Sequence, residues 1–229
     1  MKYLFSLFVL LFILLPLKAQ GDKLVLPLNS MSLNLFSVKQ RQIIAEGNPY
    51  YHEVFQGNKY YPHYFHGVGY TRRFKKMNFV RLNFNYFQKQ DEESKDYVSS
   101  EGSFSEIEFA LGYQRYFFDY WVTPYVGLDL KILWGHSNSR FEDFFEPSFT
   151  KLDLDEFGYG FSPFFGLKFY TPSPVSFSLE MSWDFLRIRE QGNYYYWEPD
   201  IVPENQAVDN SKSLSRFNPV AALYITLEF

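Results

Sequence analysis

The stretch Pro124-Tyr125-Val126-Gly127-Leu128-Asp129-Leu130-Lys131-Ile132-Leu133-Trp134-Gly135-His136 decides the fold. Val126, Leu128, Leu130, Ile132 and Trp134 share one parity, while Gly127, Asp129 and Lys131 share the other. A strand sends successive side chains to opposite faces, so this segment has one apolar face and one small or charged face. Four more windows repeat the pattern. In 78–87, Val80, Leu82, Phe84 and Tyr86 alternate with Arg81, Asn83 and Asn85. In 104–116, Ile107, Phe109, Leu111 and Tyr113 alternate with Glu106, Glu108, Ala110, Gly112 and Gln114. In 157–169, Phe157, Tyr159, Phe161, Phe165, Leu167 and Phe169 alternate with Gly158, Gly160, Ser162, Gly166 and Lys168. In 176–186, Phe177, Leu179, Met181, Trp183 and Phe185 alternate with Ser178, Glu180, Ser182 and Asp184. Helical spacing fits none of them.

A soluble sandwich also alternates. Here the polar face is rich in Gly, Ala and Ser, which suits the crowded interior of a narrow barrel better than a solvated sheet. The apolar face is dominated by Phe, Leu, Tyr and Trp, as expected of a wall that meets lipid. The chain has 229 residues, of which 22% are aromatic, and no cysteine. It therefore has no disulfide framework, thiolate metal site or catalytic thiol. Mean hydropathy of -0.27 and the absence of repeated apolar runs of roughly 20 residues argue against a helical membrane protein. A net charge of -4 gives no footprint for nucleic acid.

Residues 1–20 read as a cleaved secretory signal peptide: Lys2, an apolar run from Leu4 to Leu15, Pro16, and a cleavage site after Ala19 or Gln20. Residues 21–229 then form one β-barrel domain. Its strands are expected at about 30–40, 60–74, 78–88, 104–118, 122–134, 152–170, 175–189 and 214–229. Lys75-Lys76-Met77, 119–122 and Thr171-Pro172-Ser173-Pro174 are tight turns, and the other four connections are long loops. Ten strands would require two more inside the loops, where no clean alternation exists. Pro163 falls inside the sixth strand and demands a bulge, or a position above a membrane, because a closed barrel has no free edge.

The chain ends Ala221-Ala222-Leu223-Tyr224-Ile225-Thr226-Leu227-Glu228-Phe229, with Leu223, Ile225, Leu227 and Phe229 on one parity. This resembles the C-terminal signal of outer-membrane β-barrel proteins, which the barrel-assembly machinery reads. As a pattern across the mature chain, it resembles the small class: the OmpA-type transmembrane domain, OmpX-like proteins and the PorT-like group. The resemblance implies a closed eight-stranded antiparallel up-and-down transmembrane β-barrel in the bacterial outer membrane, with short periplasmic turns and long extracellular loops. It also implies contact with outer-membrane lipid and lipopolysaccharide, and no peptidoglycan-binding domain after Phe229.

Inward parity places Arg81, Lys131 and Lys168 with Glu106, Glu108, Asp129, Glu180, Asp184 and Glu228 in a lumen that side chains just fill. Such charges are expected to pair as a polar plug, since a lone buried charge is costly. The sharper alternative is a narrow ion or proton path. No cofactor or metal is expected: His63 and His66 are three apart, which on a regular strand puts them on opposite faces. His136-Ser137-Asn138-Ser139 is the one catalytic-looking cluster, with Glu142 or Glu146 as the acid. It is similar to the His-x-Ser of lipid A deacylases, but Asn138 stands where the serine is needed. The expected function is therefore non-catalytic: envelope integrity, surface contact, or a subunit of an envelope or secretion assembly. The acidic loops, with Glu92, Glu101, Glu198 and Asp209 among their charges, are expected to be solvated or to hold divalent cations shared with lipopolysaccharide phosphates, and the run Tyr194-Tyr195-Tyr196-Trp197 is expected either to dock an envelope protein partner or to extend its strand into the headgroup belt.

Overall fold

The computed structural model describes residues 25–41, 59–95, 98–143, 148–199 and 204–229. The proposed leader, the 42–58 connection, Asp96, Glu146 and Asp200 lie outside them. The strands are β1 (Asn29–Arg41), β2 (Lys59–Lys75), β3 (Asn78–Lys95), β4 (Val98–Tyr116), β5 (Val122–Asp143), β6 (Ser148–Tyr170), β7 (Val175–Trp197) and β8 (Glu204–Glu228). Each pairs antiparallel with its neighbours in sequence, and β8 returns to β1, so eight strands form one closed barrel.

Three connections at one end are short, as read from Lys76-Met77, 117–121 and 171–174. At the other end, two expected long loops are mostly strand. β3 and β4 stay paired out to Lys95↔Val98, and β5 and β6 out to Asp143↔Ser148. The expected 192–212 loop is likewise the paired ends of β7 and β8, out to Tyr196↔Glu204. Alternation finds strands that have one apolar face. These extensions lack a continuous apolar face, and the antiparallel ladder pairs their backbones.

The ladder is not uniform. β1 pairs with β8 only from Ser30 to Phe36, and β2 with β3 only from Gly67 to Lys75. Above those limits the β1–β2 arm is paired within itself alone. The arm begins at a bulge: Leu35 faces both Phe65 and His66, and Phe65 has φ 47°. A left-handed non-glycine residue costs about 1 kcal/mol. It also breaks parity, throwing Phe65 outward at 72% exposure and turning His66 inward. The expectation that His63 and His66 lie on opposite faces is thus overturned. Both are buried, with ring centroids 6.0 Å apart.

Pro163 needs no bulge, contrary to expectation. It stays in register opposite Leu128, and only the ladder toward β7 lapses at Ser162 and Pro163. The bulge falls one strand further on, where β8 puts 219–221 opposite Met181. Pro219, which lacks an N–H, sits there, beyond the last β1 partner Leu223.

The barrel is turned inside out relative to a soluble one. Its interior holds charge, and more than twenty large apolar side chains stand on its outer wall, among them Leu82, Leu111, Leu130, Ile132, Tyr159 and Trp183.

Candidate functional site: a charged lumen between two apolar layers

Three layers fill the lumen. Near the short turns, Leu26, Phe79, Tyr116, Tyr125 and Phe164 form an aromatic floor. Toward the hairpin end, Leu133, Leu186 and Ile188 pack together, with Leu214 against them. Beside them, Tyr61, Phe87 and Phe104 close the mouth under the β1–β2 arm. The charges lie between.

Arg81 is held by Asp129 (Nε to Oδ1 2.8 Å, Nη2 to Oδ2 2.5 Å) and donates to Glu180 through Nη1 at 2.5 Å. Its guanidinium lies 3.5 Å over the Phe164 ring. Tyr125 donates to the same Glu180 oxygen at 2.9 Å, which ties the network to the floor. Lys131 lies between Asp184 (2.9 Å) and Glu108 (3.5 Å). Lys168 sits apart, close to the turns, and pairs with Glu228 at 2.6 Å. Every lumen residue expected from parity, namely Arg81, Glu106, Glu108, Asp129, Lys131, Lys168, Glu180, Asp184 and Glu228, therefore has an ion partner inside the barrel.

Two members were not expected. Lys39 reaches from the arm to Glu106 on β4, and to Glu108 at 3.4 Å, with its ammonium 3.8 Å over Phe87. Arg216 donates to Asp184 at 2.7 Å. Arg216 lies within the expected 214–229 strand and shares the even, inward parity of Glu228, so the same rule would have found it. Lys39 has no such signal, because the bulge at Leu35 reverses the parity of β1.

A cavity of about 40 Å³ lies within the network. Asn34, Ser162 and Asn218 line it, and each has a buried side-chain oxygen with no hydrogen-bond partner among the described residues. Among those residues, no group of three His, Cys, Asp or Glu side chains could hold a metal ion.

On the outer wall, the continuous run of apolar side chains gives way to polar ones on several strands. Above Tyr86, Ile107, Trp134, Phe157 and Phe185 come Gln88, Ser105, His136, Asp155 and Arg187. His136 faces outward, with Nδ1 3.0 Å from Asp155 Oδ1 and Nε2 3.6 Å from Asp153. Ser137 turns inward to Glu156 at 3.2 Å, and Ser139 is buried. Neither joins His136. The serine across from His136 is Ser105 on β4, which sequence order conceals. The C-terminal residues close the barrel: Leu227 and Ile225 pair with Met31 and Leu33, and Phe229 exchanges backbone hydrogen bonds with Asn29 at 2.8 and 2.9 Å.

No family model matches this chain, and no curated protein matches it.

Proposed function

We propose that the protein is an integral outer-membrane barrel of the small OmpA-, OmpX- or PorT-like kind, exported by a cleaved leader. In this reading it serves envelope integrity, surface contact, or an envelope or secretion assembly. The observation that carries it is the belt of exposed apolar side chains around a charged lumen. Leaving more than twenty such residues half in water would forgo on the order of 20 kcal/mol of burial, more than a domain's whole stability. From Val126 to Trp134 the belt is on the order of 20 Å tall, at 3.3 Å per residue and a tilt near 40°. An outer-membrane barrel carries an apolar band about 25 Å tall, which the aromatic side chains at the two edges of this belt approach. Phe117, Phe118 and Trp121 at the short turns, and Tyr86 and Trp134 at the far edge, supply aromatic girdles. The short turns then face the periplasm, and the extended hairpins face outward to lipopolysaccharide or a protein partner. In this reading the apolar clusters above and below the charges close the lumen, so planar bilayers should show no unit conductance. The test is fluorescence of Trp134 and Trp183 in vesicles carrying brominated acyl chains. Strong quenching supports the reading; quenching by aqueous iodide alone, with recovery in the soluble periplasmic fraction, would refute it.

One observation favours a second reading, acyl-ester hydrolysis at the membrane edge. Ser105, His136 and Asp155 stand directly opposite one another on β4, β5 and β6, at the upper limit of the belt. His136 thus stands between a serine and a carboxylate on the neighbouring strands, the set of residue types with which a serine hydroxyl attacks an ester. Unchanged lipid A acylation in Ser105→Ala and His136→Ala strains would dismiss it.

A further inference from the structure

Among the described residues that line the cavity, carboxylates outnumber cations. Arg81, Lys131 and Lys39 line the cavity as cations. Glu108, Asp129, Glu180 and Asp184 line it as carboxylates. Arg216 and Glu106 stand just behind, one of each sign, so among the described residues around the cavity the carboxylates outnumber the cations by one. An uncompensated charge in a closed interior is costly, and water, being neutral, does not cancel it. Independently, Asn34 Oδ1, Asn218 Oδ1 and Ser162 Oγ are unpartnered oxygens in side chains at least 95% buried around the same cavity. Asn218 is oriented by its neighbours: its Nδ2 donates to Asp184 at 3.0 Å and Ser182 at 3.2 Å, which leaves the oxygen as the free end.

We propose that this cavity binds one monovalent cation (sodium, potassium or ammonium) through the amide oxygens of Asn34 and Asn218, the Ser162 hydroxyl and the surplus carboxylate charge. Oxygen donors are what hard cations take. A water needs 10–15 Å³, so about 40 Å³ holds an ion with a water or two. A divalent ion would overshoot a surplus of one. The site belongs to the lumen and does not depend on what covers the outer wall. Its role is to lock the core of the plug, so cation binding is bound to barrel stability.

The experiment is unfolding of the full-length barrel in zwitterionic detergent, in choline, sodium, potassium or ammonium chloride at equal ionic strength. At an ion concentration ten times the dissociation constant, the midpoint should stand about 4 °C above that in choline and saturate. Glu108→Gln removes the surplus without orphaning a cation, because Lys39 keeps Glu106 and Lys131 keeps Asp184. That variant should show the same midpoint in all four salts, and Asn218→Leu should do likewise; Ser162→Ala serves if Asn218→Leu does not fold. Equal midpoints for the unaltered barrel in every salt overturn the proposal. So does a midpoint that ignores the salt and rises as pH falls, which would mean that a proton fills the role. A salt effect that survives Glu108→Gln also overturns it.

Discussion

Arg81 and Asp129 are joined across a strand that lies between them. In register, Arg81 on β3 faces Gly112 on β4, and Gly112 faces Asp129 on β5. The two backbones are therefore two strand spacings apart, roughly 9.6 Å, yet the side chains make a two-pronged pair at 2.8 and 2.5 Å. Arg81 also serves Glu180, so removing it strands two buried carboxylates. Arg81→Met should cost about 3–5 kcal/mol in urea unfolding from lipid vesicles. Arg81→Lys should cost less, because it keeps the charge and loses the fork. Equal losses for the two variants would show that charge alone matters there.

The residue between them explains why the pair forms. A Cβ on Gly112 would collide with Asp129 Oδ1 and lie 3.1 Å from Arg81 Cγ. Glycine here clears the wall so that the ion pair can lie flat against it. Gly112→Val should therefore displace Asp129 and destabilise the barrel nearly as much as Arg81→Met. Combined with Arg81→Met it should add little, because both remove one contact. Additive losses in the double variant would separate the glycine from the pair.

The β1–β2 arm is held at the mouth by side chains rather than by a full ladder. Lys39 reaches Glu106 and Glu108, and His63 stacks edge-on against Phe87 with centroids 5.0 Å apart. The chain has no cysteine, so a single His63→Cys reports on the arm without background. That thiol should react slowly with a water-soluble maleimide in the folded barrel. Adding Lys39→Met should speed it about tenfold, the effect of losing roughly 1.4 kcal/mol of closure. An exposed control on the hairpin end, Ser211→Cys, should be indifferent. An unchanged rate at position 63 would mean that Lys39 does not hold the arm.

The sequence announces the belt because each of its residues obeys one local rule, alternation against a charged or small partner. The same rule places Arg81, Lys131 and Asp184 inside. It is blind where parity is reset by non-local geometry. His66 turns inward because Phe65 adopts φ 47° opposite Leu35, and nothing in Tyr64-Phe65-His66 announces that bulge. Leu133, with no measurable exposure, is hidden differently, as the inward member of the unbroken run Ile132-Leu133-Trp134. The Ser105–His136–Asp155 row depends on register between strands, which no single strand encodes.

The hairpin formed by the outer ends of β7 and β8 carries an acid-sensitive pair. Arg189 donates to Asp209 through Nε at 3.0 Å and Nη2 at 2.8 Å, and Gln191 adds a bond at 3.3 Å. Hydrogen bonds from Arg189, then from Gln191, hold the Asp209 carboxyl below its ordinary value of 3.8. A group with a depressed folded value stabilises the fold above its unfolded value, and that contribution is lost as pH falls through the folded one. The pair should thus be intact from neutral pH down to about 4 and dissolve only below 3.8. Because both side chains are solvent-exposed, high salt should weaken it further. Carbon-13 titration of the Asp209 carboxyl should give a midpoint under 3.8 that returns toward that value in Arg189→Met. A midpoint already at 3.8 in the unaltered barrel would show that the two side chains do not pair in solution.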